Sequence, residues 1–207
     1  MNLSHRPSKV LVTGASGSGK STFATKYLVN TKAKLKLIFD HELEFALRSK
    51  LPVAQTERDL ADQVKTGIVI FDPAKMFPGK ADDALAFFME WSLDLSDKVI
   101  GRKVLFVDEI QLFVDANRWP PELAKVIQTG RRYELDLLIC SQQVNELHNR
   151  LRQQLTEVIT FRQQDPRALE WLEQAGPLDP VAVSALQPGE FLAWQRLSGR
   201  VTPGRVF

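Results

Sequence analysis

Residues 9–21 read KVLVTGASGSGKS: a short apolar run, a turn crowded with glycine and serine, and the start of a helical pattern that continues to Val29. The turn, Gly14-Ala15-Ser16-Gly17-Ser18-Gly19-Lys20-Ser21, satisfies G-x-x-x-x-G-K-[ST] at every fixed position. It also has the strand before it and the helix after it that this motif needs. Glycines let successive backbone N–H groups curl round a phosphate chain, and the following helix N-terminus adds its dipole. Lys20 brings a mobile positive charge to the terminal phosphates, and the Ser21 hydroxyl is a ligand for Mg²⁺. Gly14–Thr22 is therefore expected to bind a nucleoside triphosphate, ATP with Mg²⁺.

Outward from this loop, apolar runs alternate with helical patterns. Strands are expected at Lys9–Thr13, Lys36–Asp40, Ile68–Asp72, Lys103–Val107, Leu135–Cys140 and Glu157–Arg162. Helices are expected at Ser21–Val29, Thr56–Lys65, Asp82–Leu95, Pro121–Arg132, Val144–Leu155 and Pro166–Gln174, with Lys75–Asp83 left as a mobile loop. Continuous apolar strands separated by helices predict an α/β fold, a mainly parallel sheet covered by helices on both faces. Two β-patterned runs, Glu190–Gln195 and Val201–Phe207, flank a turn at Ser198–Gly199 and predict an antiparallel hairpin at one edge. No repeat or linker divides the 207 residues, so 1–207 is expected to be a single domain.

Composition narrows the class. The chain is 44% hydrophobic and 25% charged, which argues against disorder. A single cysteine, Cys140, excludes an internal disulfide and reads as a small core residue. His5, His41 and His148 have no ligand spacing, so no metal site beyond Mg²⁺ is expected. The formal charge of +2 is no signature of a nucleic-acid binder, but it is unevenly spread. Residues 1–36 carry seven Lys/Arg and no carboxylate, which allows a local basic surface as well as ordinary solvation. Neither a signal peptide nor a transmembrane segment is expected.

Further candidates follow the loop. Val104–Glu109 (VLFVDE) is an apolar strand ending in two carboxylates. Asp108 suits Mg²⁺, through a water, and Glu109 is then free to polarise an attacking water. Leu135–Gln142 (LDLLICSQ) is an apolar strand whose polar end, Gln142, suits contact with the γ-phosphate or the attacking water. Gly130-Arg131-Arg132 precedes it; by position alone these arginines read best as a cationic helix C-terminus.

Together, GASGSGKST, VLFVDEI and GRRYELDLLICSQQ resemble the HerA–FtsK superfamily of DNA-pumping ATPases. VITFRQQDPRALEWLEQAG followed by LQPGEFLAW is similar to that superfamily's downstream segment, so the likeness spans about residues 9–194. The compact chain looks most like the genome-packaging ATPases of membrane-containing icosahedral DNA viruses. The resemblance implies a RecA-like P-loop NTPase of the ASCE branch. It also implies ATP hydrolysis through Lys20, Glu109 and Gln142, with Arg131 reaching the neighbour's site as a trans arginine finger and Arg132 and Arg162 as alternatives. The implied partners are DNA held without sequence preference, further copies in a ring, expected to be hexameric, and capsid or portal-vertex proteins. The implied location is host cytoplasm or virion, with no membrane insertion of the chain's own. Glu134 departs from the pattern by standing where glycine is usual.

Two other readings compete. A phage assembly or secretion ATPase like the zonula-occludens-toxin-like proteins fits the same loop. A small-molecule or nucleoside kinase also fits it, and would need an acceptor base such as Asp40 or Asp72.

Overall fold

The protein is described by a computed structural model covering Pro7–Phe207; His5 lies outside the described residues. These residues form two compact units. One comprises Tyr27–Asp108 with Pro120–Leu138, the other Ser8–Lys26 with Glu109–Trp119 and Ile139–Phe207. The first element of the described residues is β1 (Lys9–Thr13), followed by α1 (Lys20–Asn30).

The first unit contains β2 (Leu35–Phe39), α2 (Glu44–Ser49), α3 (Glu57–Val64), β3 (Ile68–Phe71), α4 (Ala81–Lys98), β4 (Lys103–Val107) and α5 (Pro121–Thr129). It also holds the first half of β5 (Leu135–Ser141), and its strand order is β3-β2-β4-β5. β2 pairs in parallel with both neighbours, Phe39 lying opposite Phe71 on one side and Val107 on the other. Strands buried on both faces are apolar at nearly every position, which is why LKLIF, IVIF and KVLFV do not alternate. α4 fastens to this sheet through Phe88, whose ring stacks on Phe71 at 5.2 Å and meets Phe39 at 5.9 Å. The Thr56 hydroxyl caps α3 by accepting the Asp59 N–H at 3.2 Å.

The second unit contains the rest of β5, then α6 (Asn149–Gln154), β6 (Glu157–Phe161), α7 (Pro166–Ala175), α8 (Pro180–Ala185), β7 (Glu190–Gln195) and β8 (Val201–Arg205). Its strand order is β5-β1-β6-β7-β8. β1 and β6 are parallel, Val10 to Thr13 lying opposite Glu157 to Thr160. β6–β7 and β7–β8 are antiparallel, so the chain ends in the expected hairpin. Asp165 and Asp179 cap α7 and α8, each followed by a proline at the first helical position.

The structure differs from expectation in four places. α5 stops at Thr129, so Arg131 and Arg132 lie in the turn beyond it and are not a cationic last turn of the helix. Val144–Leu155 is not one helix: a 3₁₀ turn at Val144–Glu146 stops, Leu147 and His148 are extended, and α6 restarts where His148 Nδ1 accepts the Arg150 N–H at 3.1 Å. Lys75–Asp83 is not a free loop. The Phe77 N–H donates to Pro73 O at 2.8 Å, its ring packs on Phe87 at 5.3 Å, and α4 has begun by Ala81. The short helices α2 and α8 were not expected, because six residues are too few for a helical period to register.

Two local features, a buried lysine and a left-handed glutamate, bear on the stability of the first unit. Lys103 is 2% exposed, and its ammonium donates to the carbonyls of Ser96 (3.1 Å) and Val99 (2.7 Å), closing the C-terminal end of α4. Burial pushes its pKa below the usual lysine range, while Glu134 and Asp97 pull the other way. Glu134 has φ +51°, a left-handed backbone that glycine adopts without strain. Lys103→Met, which leaves both carbonyls without a donor, is expected to lower unfolding free energy by about 2 kcal/mol. Glu134→Gly is expected to raise it by up to about 1 kcal/mol. Urea denaturation of the two variants checks the opposite signs.

Candidate functional site: a phosphate-binding loop and a doubly held glutamate

The loop between β1 and α1 reverses by placing Gly14 at φ +154°, Gly17 at +72° and Gly19 at +118°. Gly14 also has no room for a side chain: a Cβ there would lie 2.5 Å from Phe161 Cβ and 2.7 Å from Ser18 Oγ. The loop is tied to its surroundings by backbone. The Ala15 N–H donates to Arg162 O and the Gly189 N–H to Ser18 O, both at 2.9 Å. The Lys20 ammonium is drawn back over the loop to the Ala15 carbonyl at 3.2 Å, and Lys20 is 5% exposed. A lysine held so near loop backbone is positioned for phosphate at little further entropic cost. Ser18 Oγ is buried with no hydrogen-bond partner among the described residues. A glycine cradle, a buried lysine and an orphaned hydroxyl fit a phosphate chain.

Glu109 stands immediately after Asp108 at the end of β4, with φ +43° and ψ +51°. A left-handed glutamate is costly and turns its carboxylate out of the strand direction. Both oxygens are then held by amides. Gln142 Nε2 donates to Oε1 at 2.6 Å, and Gln111 Nε2 donates to Oε2. Gln142 stands just past the end of β5, as expected. Its backbone carbonyl accepts Gln163 Nε2 at 3.4 Å, and the same amide reaches Thr13 Oγ1 at 3.1 Å. Thr13 immediately precedes Gly14, so hydrogen bonds run from the root of the loop through Gln163 and Gln142 to Glu109.

The structure thus brings Glu109 and Gln142 together, a contact that the sequence reading, which places each at the phosphate or the attacking water, does not include. It adds Gln111 and Gln163, which that reading missed; the only signal was a polar residue two positions after Glu109 and another just after β6. Asp108, half-buried, follows β4 in the first unit. Arg131 and Arg132 are exposed in the turn after α5, Arg132 lying 5.4 Å from the centre of the Tyr133 ring. Arg162 instead lines a cavity beside the loop of its own chain. Cys140 is fully buried in β5. Trp119 packs against the ring of His148 at 5.2 Å.

The acceptor bases considered for a kinase are engaged elsewhere. Asp40 accepts the N–H groups of Phe45 (3.2 Å) and Ala46 (2.8 Å), and Asp72 accepts from Gln55 Nε2 and the Ala74 N–H. Burial pushes the Asp40 pKa up while those backbone bonds pull it down. Among the described residues no group of three or more His, Cys, Asp or Glu could hold a metal ion, and no helix is long and apolar enough to cross a membrane.

Gly14→Ala tests the cradle. The added methyl group must push β6 away from the loop, so a stability loss of about 1–3 kcal/mol is expected. Retention on immobilised ATP should fall with it, whereas a full-affinity, full-stability variant would contradict the packing described.

The chain is similar to the genome packaging NTPase B204 from Sulfolobus turreted icosahedral virus 2, solved with ATP-gammaS. Identity is 22% and TM-score 0.78, over 98% of this chain and 100% of that one. B204 from Sulfolobus turreted icosahedral virus matches at 20% identity and TM-score 0.69, over 97% and 98%. EccC of Thermomonospora curvata (ATPases 2 and 3), in complex with a signal sequence peptide, matches at 17% and 0.62, over 96% of this chain and 36% of that one. At these identities the likeness is one of fold, a P-loop NTPase with a mainly parallel sheet and antiparallel C-terminal strands. No curated protein matches the sequence. The family described as zonular occludens toxin (Zot) matches residues 8–170, most of the chain from β1 into α7, and the chain therefore belongs to the Zot family.

Proposed function

We propose that this protein is an ATPase that uses ATP with Mg²⁺ to move DNA during assembly of a virus particle, most simply by packaging a genome into a preformed capsid. The observation that carries the reading is the carboxylate of Glu109, held at 2.6 Å by Gln142 in a chain with a complete phosphate-binding loop. The B204 proteins, similar in fold over nearly their whole length, are packaging NTPases, which supports the direction of the proposal.

In this reading the loop N–H groups and Lys20 bind the phosphate chain, Lys20 exchanging the Ala15 carbonyl for phosphate oxygens. Ser21, and Asp108 through a water, would hold Mg²⁺. Bound Mg²⁺ neutralises charge on the terminal phosphate oxygens. Glu109 takes a proton from the attacking water, and the amide of Gln142 keeps the carboxylate oriented. Gln142 can also report the state of the γ-phosphate through Gln163 to Thr13. Arg131, exposed on its turn, is the candidate finger for a neighbouring copy's site in a homo-oligomeric ring, hexameric by analogy with such motors. DNA contact would be sequence-independent, and capsid or portal-vertex proteins are the expected docking partners.

A second reading is favoured by one observation, the match to the Zot family over residues 8–170. It makes the chain a phage assembly or secretion ATPase, with the same chemistry at Glu109 and a different cargo.

Glu109→Gln keeps a side chain of the same shape while removing the base. Turnover is expected to fall by about 10²–10⁴-fold, with ATPγS affinity within a few-fold of the parent. Hydrolysis that survives the substitution unchanged would overturn the assignment.

A further inference from the structure

Arg162 follows β6 directly, one residue after Phe161, whose backbone and Cβ press against Gly14. Its carbonyl accepts the Ala15 N–H, so its position is fixed to the loop itself rather than to an outer edge. A cavity of about 240 Å³ opens here, lined by Ala15–Ser18 of the loop together with Arg162, Gln164 and Pro188. No lining residue is a carboxylate. Two polar side-chain atoms at this cavity are shielded from solvent and have no hydrogen-bond partner among the described residues: Ser18 Oγ and Arg162 Nε. Ser18 is itself 7% exposed. Buried donors left unsatisfied are costly, and a guanidinium nitrogen is among the costliest. An anion seated in the cavity would lie beside the half-buried Arg162 side chain, whose planar fork suits phosphate oxygens.

We propose that Arg162 is a nucleotide-contacting residue in cis, binding phosphate oxygens of the nucleotide seated in its own chain's loop. The proposal rests on the reading that this loop binds ATP. It separates Arg162 from the exposed Arg131 and Arg132. An arginine serving a neighbour's site must project away from its own loop, whereas Arg162 is tied to that loop by its backbone and has its Nε buried beside it.

The test is equilibrium binding of ATPγS to the full chain, measured for the parent, Arg162→Ala, Arg162→Gln and Arg162→Lys over a range of protein concentrations. Thermal unfolding of each variant establishes that it is folded. Loss of a charge-assisted contact predicts affinity weakened about ten- to a hundredfold in Arg162→Ala and Arg162→Gln. Partial recovery is expected in Arg162→Lys, which keeps the charge without the planar fork. The loss should be the same in dilute and concentrated protein, because the contact lies within one chain. Parent-like affinity in a folded Arg162→Ala or Arg162→Gln variant would overturn the proposal while leaving ATP binding intact. So would a loss that develops only at concentrations where chains associate, the behaviour of a trans finger. A parent chain that fails to bind ATPγS would overturn the ATP reading and this proposal with it.

Discussion

The close approach of β6 to Gly14 is the constraint on which the rest of this site depends. A chain leaving a buried parallel strand must turn and start a helix within six residues, and at Gly14 it does so against the Cβ of Phe161. Glycine alone fits there. Once the loop is seated, its exposed backbone is secured from two directions, by Arg162 O below Ala15 and by the Gly189 N–H on Ser18 O. Gly189 is in turn held by the Val206 N–H at 2.9 Å, and the Lys26 ammonium of α1 bonds the Val206 carbonyl at 2.6 Å. The C-terminal hairpin is thus a brace for the loop as well as an edge for the sheet. Phe23 of α1 lies against Phe161 and Phe191, which packs the helix onto that brace.

Glu109 shows where local stability is spent. A non-glycine residue in the left-handed region costs on the order of 1–3 kcal/mol and persists only when its surroundings hold it. Here two glutamine amides hold the carboxylate, and one of them is connected through Gln163 to the residue before the loop. A carboxylate fixed in this way loses little entropy when it engages water, the condition that favours general-base chemistry. The same bonds give a physical route by which phosphate in the loop and the orientation of Glu109 can affect each other.

Much of this was legible in the sequence because it rests on local chemistry. The loop declares itself through glycine spacing, the core strands through unbroken apolar runs, and the edge hairpin through alternation around Ser198–Gly199. Glu134 was legible only as a departure from the pattern that the sequence resembles, and its backbone is left-handed. The glutamine partners were not legible, because a glutamine side chain has no intrinsic partner and acquires one only when distant segments meet. Gln163 reaches Thr13 across 150 positions of sequence. The helix break at His148 was hidden for a related reason. Leu147, Leu151 and Leu155 keep a perfect four-residue period, and all three are buried even though the helix between them is interrupted. Arg162 could be named as a candidate arginine from sequence, but its place beside its own loop emerges only from the fold.

The most direct measurement of the central claim is the steady-state rate of ATP hydrolysis per chain, followed across protein concentration with and without DNA. A DNA-moving ATPase whose site is completed by a neighbouring copy predicts a rate per chain that rises with concentration and rises further with DNA of any sequence. A rate per chain that is flat in both would contradict it.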